Sequence, residues 1–437
     1  MKKIRIPPLN FEISDKEKNL WNILGMVIYK IVLDIAYLWF ICGIYGYYKN
    51  FKIDIVCIKF LESWFLYYVL IVATPRKKQT ITSCYLIMQL CIMIAPMLSM
   101  YGLGNRSRDF IYIVSATHLL QCFLDKYIKA SSETIIKKGK WISWIIVIVL
   151  ICITFLITFS TKGIPGGSAL DFSNVYEIRS ENVMEFPLNY LLPCLFSVVL
   201  PIIIVYSLEY RKYWLLFLAG IITLYFYLIY AHKAWLFSFF MIIVVHAFIK
   251  RGLFIFSVSW GMPIMISGLL LGLFFSEKFL IPCSLFIRRV LFLPADIKFE
   301  YYSFFQSKDK LHFSEGLIGK IFGLDSPYDR PITYIIGDYM DKKGSSCNTG
   351  YLADGYANLG LIGVFLVGIF LLILLKAFDA VSQGNMFYNN FAIMVYPLFG
   401  LNDGALLTKI LTGGLGIALV LLYLQYKGKR ITESQMT

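Results

Sequence analysis

Apolar runs of 18 or more residues recur along the whole chain, and this pattern is the strongest constraint on its fold. A run of that length forms a helix that can cross a hydrocarbon core of about 30 Å. Of the 437 residues, 58% are hydrophobic and only 16% are charged, whereas a soluble domain has about 25% charged residues. The alternating segments typical of outer-membrane barrels are absent from the sequence. We therefore expect an all-α polytopic integral membrane protein.

The apolar runs predict twelve transmembrane helices, near residues 23–47, 53–73, 81–101, 109–125, 141–161, 187–207, 213–231, 234–249, 253–275, 354–375, 387–404 and 409–426. With twelve spans, the short Lys- and Arg-rich connectors and both tails fall on one side. Such residues favour the cytoplasmic side, which predicts a multi-pass protein with both termini cytoplasmic. The same rule explains the formal charge of +14 without a nucleic-acid partner.

Three regions follow from this topology. Residues 1–275 hold the first nine spans, 276–353 form one large extracytoplasmic loop, and 354–437 hold the last three spans and a short cytoplasmic tail. The loop contains ten Lys and Arg residues. Since long loops are exempt from the orientation rule, this charge points to a function of the loop itself.

Two pairs of opposite charges lie within predicted spans. Lys30 and Asp34 are four residues apart, and Lys59 and Glu62 are three apart, so each pair shares a helical face. One interpretation is an ion or proton pathway. The other, which we favour, is that each pair neutralises itself. His118, alone within a span, is expected to be a hydrogen-bonded core residue.

The large loop begins with two adjacent arginines, Arg288 and Arg289. The donors of a guanidinium match phosphate and carboxylate oxygens, which predicts binding of a lipid-linked diphosphate. The alternative is contact with ordinary lipid headgroups. An aromatic cluster follows, whose rings could stack on sugars or lie at the membrane interface; it comprises Phe299, Tyr301, Tyr302, Phe304 and Phe305.

Several polar residues farther along are candidates for acid–base chemistry or anion binding. His312 is the only histidine of the loop, and histidine or a nearby carboxylate can deprotonate a hydroxyl group. Arg330 adds a cation, and Lys233 lies in the tight turn "AHKA" on the same predicted side. Asp354 and Asn358 are four residues apart in "NTGYLADGYANLGLIGVFLVG", whose glycines permit close backbone approach.

The order of these elements resembles the Wzy-type oligosaccharide repeat-unit polymerases of O-antigen and capsule biosynthesis. The resemblance rests on the "HKAWLF" turn, a loop beginning R-x-x-F-x-P-A, a Y-Y-x-F-F element and the segment "YLADGYANLGLIG". It matches Lys233 and Arg289 to the family's turn lysine and loop arginine. Tyr302, Phe305, Asp354 and Asn358 fall in its aromatic and re-entry elements.

The resemblance implies a GT-C-like glycosyltransferase of a bacterial cytoplasmic (inner) membrane that needs no metal or other cofactor. Its substrate would be an undecaprenyl-pyrophosphate-linked oligosaccharide, and the growing glycan would be transferred to each incoming unit. From the resemblance, Arg289 and Asp354 would be catalytic, and Lys233, Tyr302, Phe305 and Asn358 would bind the substrate. Side-chain chemistry, rather than the resemblance, adds His312 and Arg330 as catalytic residues and Arg288 and Tyr301 as substrate-binding residues. Expected partners are the lipid bilayer, a chain-length regulator and a flippase.

Three alternatives remain open. A flippase or exporter of the same lipid-linked oligosaccharide would have a similar number of spans, but with similar halves and charged residues within them. An O-antigen ligase would share the architecture and differ in its acceptor. A membrane scaffold without catalytic activity would not explain the basic and aromatic loop.

Overall fold

The computed structural model describes residues 15–76, 79–130, 139–166, 178–179 and 181–426. Within these ranges the chain is helical, and its single β-type contact is an isolated bridge between Asp54 and Gly104. Nine long helices lead up to the predicted loop: α1 (Asp15–Ile35, continued by Ala36–Cys42 and Gly43–Tyr45), α2 (Cys57–Ala73), α3 (Ile81–Gly104), α4 (Arg108–Tyr127), α5 (Gly139–Lys162), α6 (Leu188–Glu209), α7 (Tyr213–Tyr230), α8 (Lys233–Lys250) and α9 (Phe254–Phe275).

Seven further helices complete the described chain. They are α10 (280–306), α11 (Gly316–Phe322), α12 (Ile332–Tyr339), α13 (Tyr351–Val381), α14 (Met386–Phe399), α15 (Leu406–Leu411) and α16 (Leu415–Gln425). We call the end of the bundle formed by 46–56, 104–107 and 307–346 the upper end. The lower end is formed by 74–76, 79–80, 127–130 and 382–385.

Eight of the described helices are long and apolar enough to cross a membrane, namely α1, α3, α5, α6, α7, α8, α9 and α13. The other four predicted spans also coincide with helices. However, each of the helices α2, α14, α15 and α16 is shorter than 18 residues. Helix α4 is longer, but it has charged residues in its first and last turns. The structure thus supports a polytopic membrane protein, while the expected count of twelve spans is not confirmed.

Helix α3 lies at the centre of the bundle, with 94% of its most apolar stretch buried. It begins with a capping box, in which Thr80 Oγ1 accepts the Ser83 N–H at 3.1 Å and the Ser83 side chain accepts the Thr80 N–H. This arrangement satisfies donors that a helix start leaves free. Helices α1, α2, α4, α10, α13 and α14 pack around α3, whereas α5, α7, α8 and α9 lie at the periphery with mostly exposed apolar surfaces.

Proline explains four of the five π-helical segments in the described chain. These segments, Gln89–Ile94, Leu195–Val199, Ser257–Gly261 and Ser284–Phe292, each end two residues before a proline. The prolines are Pro96, Pro201, Pro263 and Pro294. A proline lacks the N–H that would pair with the carbonyl four residues earlier, and its ring crowds that carbonyl. A wider turn ahead of the proline accommodates the mismatch.

The predicted loop begins as a buried helix rather than as irregular chain. Helix α10 covers residues 280–306, and every residue from Ala295 to Tyr302 is buried. It packs against α3, α12 and α13, and its π-helical first part contacts Ala36–Cys42 of α1. Residues 307–346, which include α11 and α12, cover it at the upper end.

The two charge pairs predicted within spans have different outcomes. Lys30 Nζ lies 2.5 Å from Asp34 Oδ1, which confirms the first pair. Lys59 instead donates to Asn105 Oδ1 at 2.6 Å, and Glu62 pairs with Arg108 at 3.1 Å. The prediction of a Lys59–Glu62 pair was therefore wrong, because α3 and α4 bring closer partners from elsewhere in the chain.

His118 is buried and lies 2.9 Å from Thr74 Oγ1, as expected of a hydrogen-bonded core histidine.

Candidate functional site

A sharp break in α13 shapes the candidate site. Leu359 leaves the helical conformation, and Gly360 has φ 66° and ψ −150°, a combination essentially restricted to glycine. The chain therefore turns at the upper end, and a short arm (Tyr351–Asn358) packs against the long arm that continues to Val381. The arms meet so closely that a Cβ atom on Gly363 would lie 2.0 Å from the Gly355 carbonyl oxygen.

The short arm is a re-entrant helix, because it starts inside the bundle and returns to the upper end. Tyr351, Leu352 and Ala353 are fully buried. At the arm's start, Gly350 lies against the backbone of 401–402, where a Cβ atom would come within 2.5 Å of the Asn402 carbonyl oxygen. Its end is bound to the chain above it by the Leu311 N–H, which donates to the Ala357 carbonyl at 2.9 Å.

Asn358 organises the upper end of this arm. Its Nδ2 donates to the Asp354 carbonyl at 2.9 Å and to Asp354 Oδ1 at 3.3 Å. Its Oδ1 accepts the Phe313 N–H at 2.8 Å, and its own carbonyl accepts the His312 N–H at 3.3 Å. The structure thus brings together three predicted site residues, His312, Asp354 and Asn358, which we call the Asn358 cluster.

The backbone at His312 is strained, and its side chain is accessible. His312 and Phe313 both have positive φ angles, 49° and 60°, a conformation that costs energy for residues with a Cβ atom. The hydrogen bonds to Asn358 hold this conformation in place. As a result, the backbone that carries the exposed His312 side chain is held beside the arm that carries Asp354.

A second carboxylate borders the same cluster. Glu315 accepts the Ile332 N–H at 2.8 Å, and it lies within electrostatic range of Asp354 and Tyr301. Burial raises the pKa of Glu315, although the hydrogen bond from Ile332 opposes the increase. Burial also raises the pKa of Tyr301, whose hydroxyl donates to the Cys347 carbonyl at 3.0 Å. Two carboxyl groups and one accessible imidazole therefore occupy a single region.

The three predicted aromatic ligands lie in the core. Tyr301, Tyr302 and Phe305 are each no more than 3% exposed. The Tyr302 ring is stacked between Phe110 and Tyr356, with centroids 4.9 and 4.6 Å away. Their faces are thus covered by protein, and the predicted role in sugar binding stays a prediction.

Lys310 belongs to this region although the sequence gave no reason to single it out. Its ammonium lies 4.2 Å from the Tyr356 ring centroid and donates to the Phe305 carbonyl. Burial lowers the pKa of Lys310. A cation above an aromatic ring gains electrostatic stabilisation. Lys310 therefore links Tyr356, in the re-entrant arm, to Phe305 of α10.

The predicted basic residues are distributed over the upper end. Arg288 lies 4.4 Å from the Tyr45 ring centroid and donates to Ser284 Oγ at 3.1 Å. Arg289 is exposed on the next position of α10. Arg330 forms an exposed ion pair with Asp338. Lys233 begins α8, beside the α7–α8 turn.

That turn carries another histidine, His232. Arg179 Nε donates to the Ala231 carbonyl at 3.1 Å. Burial, aided by Arg179, lowers the pKa of His232 to about 4. His232 is therefore neutral at neutral pH, and Lys233 carries the positive charge at this turn.

Beneath the upper end, α10 carries a buried ionic network. Arg106 Nη2 lies 3.1 Å from Asp296 Oδ1 and also binds Glu300. Burial raises the pKa of Asp296 to about 6, and the Arg106 charge opposes the increase. Asp296 and Glu300 are four residues apart, and this spacing is the sequence signal that could have placed them on a shared helical face.

Lys298, on another side of α10, has uncharged partners. Its Nζ donates to the carbonyl and Oδ1 of Asn402, at 2.6 and 3.0 Å, and to the Pro294 carbonyl at 3.1 Å. Asn402 Nδ2 in turn donates to the Val290 carbonyl at 3.1 Å. Burial lowers the pKa of Lys298 to about 7. This network fixes α10 against the 400–405 turn, beside the start of the re-entrant arm.

Within the described ranges, no group of three or more His, Cys, Asp or Glu side chains is arranged to hold a metal ion. The expectation of a metal-independent protein stays a prediction.

Comparisons of the chain with protein-family models, with curated proteins and with solved structures gave no match.

Proposed function

We propose that the protein polymerises lipid-linked oligosaccharide repeat units at the outer face of a bacterial cytoplasmic membrane. One observation carries the proposal: a re-entrant helix holds Asp354 and Asn358 beside the exposed His312, at the end of the bundle that also presents Arg288, Arg289 and Lys233. The motifs that resemble the Wzy-type polymerases supply the substrate class, undecaprenyl-pyrophosphate-linked oligosaccharide.

The reaction needs an activated hydroxyl and a stabilised leaving group. The acceptor hydroxyl oxygen forms a bond to the anomeric carbon of the donor glycan, and the bond from that carbon to the diphosphate breaks. His312 or Asp354 takes the hydroxyl proton, while the bonding electrons leave with the undecaprenyl diphosphate. Arg289, aided by Arg288 and Lys233, stabilises the added negative charge, and Arg330 contributes if its pair with Asp338 opens.

A glycan ladder tests this proposal. In a strain lacking the chromosomal gene, we expect carrier-linked single repeats on the outer leaflet, and wild-type protein should restore the ladder. At least one of the variants His312→Ala and Asp354→Asn should reduce polymer at least a hundredfold, because general acid–base catalysis contributes about 10²–10⁴-fold and one of these two side chains is the base. Asp341→Asn is the matched control, since Asp341 is an exposed aspartate of the same region.

The proposal fails if the deletion strain makes a normal ladder. It also fails if both site variants, shown to be inserted and folded, polymerise as well as Asp341→Asn. Long chains that stay on the carrier in the deletion strain would instead indicate a ligase.

A specific observation favours the exporter as a second candidate. Buried charged residues lie within the bundle, where Lys376 contacts Asp125 at 2.5 Å and Asp379 at 3.8 Å. Charged residues inside membrane helices are typical of transport pathways. If the protein exports the lipid-linked unit, its deletion will accumulate single repeats on the cytoplasmic leaflet.

A further inference from the structure

Near the lower end, two buried carboxylates share one ammonium group. Lys376 Nζ lies 2.5 Å from Asp125 Oδ1 but 3.8 Å from Asp379 Oδ2. Asp379 instead accepts hydrogen bonds from Thr82, at 2.6 Å from Oγ1 and 3.1 Å from the backbone nitrogen. The side chains of the three charged residues are 4–12% exposed. The site therefore carries one negative charge in excess, and burial of an uncompensated charge is unfavourable.

A cavity near the lower end gives water access to this site. Its volume is about 810 Å³, and Asp125, Lys376 and Asp379 all contribute to its lining. This is far more than the approximately 30 Å³ that one water molecule occupies in the liquid. A proton from this water can bind Asp379 and cancel the excess charge, while Lys376 remains paired with Asp125.

Other titratable groups border Asp379 from each neighbouring element. Cys84 of α3 is within electrostatic range. Lys126 and Lys129, at and beyond the end of α4, and Tyr388 of α14 line the cavity. The positive charges of Lys126 and Lys129 disfavour the binding of a second proton, so the site is suited to bind a single proton.

Buried amides continue the polar path upward from the cavity. Gln121 lies one turn above Asp125 in α4 and donates to the Gly368 carbonyl at 2.9 Å. Gln89 Nε2 donates to Gln121 Oε1 at 3.1 Å. These side chains reach toward Tyr351, the first residue of the re-entrant arm, which also lies beside Tyr85.

Unpartnered atoms mark the places where water completes this path. Among the described residues, Gln89 Oε1, Thr349 Oγ1 and the Tyr351 hydroxyl are buried without a hydrogen-bond partner. Buried polar atoms in proteins are almost always paired with protein groups or with ordered water. Three such atoms in one region therefore indicate internal water sites between Gln121 and the re-entrant arm.

The re-entrant arm then leads to the upper end. Asp354 and Asn358 lie three and seven residues after Tyr351, on one face of the helix. We propose that the protein transfers protons through this column. Asp379 takes a proton from the cavity, Tyr351 and the bound waters relay it, and Asp354 releases it at the upper end. The net reaction moves one proton and changes no other bond.

Proton flux into liposomes tests this proposal independently of polymerisation. The purified full-length protein is reconstituted with a pH-sensitive dye inside the vesicles, and a potassium gradient with valinomycin makes the interior negative. We expect acidification at least tenfold faster than in protein-free vesicles. Asp379→Asn and Tyr351→Phe should each lower that rate at least tenfold.

Asp34→Asn is the matched control, because Asp34 is also a buried aspartate paired with a lysine at 2.5 Å, but in α1 and outside the column. It should conduct like wild type. The proposal is overturned if wild type conducts no faster than empty vesicles, if Tyr351→Phe conducts like wild type, or if Asp34→Asn loses as much flux as Asp379→Asn. Should Asp379→Asn not fold, Tyr351→Phe decides alone, since it removes a single oxygen and keeps the ring.

Discussion

Replacing Arg106 with leucine should destabilise the protein severely. The Arg106 guanidinium contacts both Asp296 and Glu300, and the three side chains are only 11%, 2% and 7% exposed. Removing one partner of a buried ion pair costs about 3–5 kcal/mol, because the remaining charge is left uncompensated. Here two carboxylates lose their partner, so we expect a loss of about 4 kcal/mol in the free energy of unfolding at pH 8.

The loss should depend on pH. Burial raises the pKa of Asp296 from 3.8 to about 6 even with Arg106 present. Since the folded-state pKa exceeds the unfolded value, the folded protein binds this proton more tightly, and Asp296 adds stability as the pH falls from about 6 to 4. Without Arg106 the pKa of Asp296 rises further. The deficit of Arg106→Leu should therefore shrink between pH 8 and pH 5.

The assay is the apparent thermal unfolding midpoint of purified protein in detergent at both pH values. Arg330→Leu is the matched control, because Arg330 and Asp338 form a solvent-exposed pair and exposed pairs contribute little. The reasoning is refuted if the two variants unfold at the same temperature at pH 8, or if the deficit of Arg106→Leu is as large at pH 5.

Two further stability predictions use the same assay. Gly360→Ala should lower the free energy of unfolding by about 1–3 kcal/mol, because alanine is strained at φ 66° and ψ −150°. The control is Gly268→Ala, where an added Cβ atom meets nothing within 4 Å and stability should not change. Equal unfolding midpoints of the two variants would contradict the prediction. Burial lowers the pKa of Lys298 from 10.5 to about 7. Since the folded protein releases this proton at a lower pH than the unfolded chain, wild type should gain stability between pH 7 and 10 relative to Lys298→Met. Parallel stability profiles of the two proteins over this pH range would refute the prediction.

The helical positions were largely predictable because apolar runs carry their own signal. Each predicted span coincides with a helix. The number of crossings was not predictable, since length and composition do not distinguish four of these helical regions, α2, α4, α14 and α15–α16, from buried helices that do not span the membrane. Local spacing predicted the Lys30–Asp34 pair, but it failed for Lys59, whose partner Asn105 lies 46 residues away.

The buried course of α10 could not be read from the sequence. A stretch with Asp296, Lys298 and Glu300 looks too polar for a core. It is buried because Arg106 and Asn402, from distant parts of the chain, satisfy those charges. Such pairings depend on tertiary structure, which also explains why the aromatic residues of this stretch were expected to present free faces.

The candidate site was predictable in part. The four-residue spacing of Asp354 and Asn358 and the nearby glycines indicated a compact element at the start of a span. The link from Asn358 to His312 crosses 46 residues of sequence and has no local signature. The positions of Glu315 and Lys310 follow from the same long-range folding of residues 307–316 over the re-entrant arm.

The re-entrant arm also constrains how the protein is made. Residues 351–358 form only about two helical turns and include Asp354 and Asn358, so they are too short and too polar for the translocation machinery to insert as a crossing segment. The arm can dock only after the helices that surround it have assembled, because its backbone ends need protein partners inside the bilayer. We therefore expect a late step in biosynthesis, in which these eight residues enter an already assembled bundle and complete the site around Asn358.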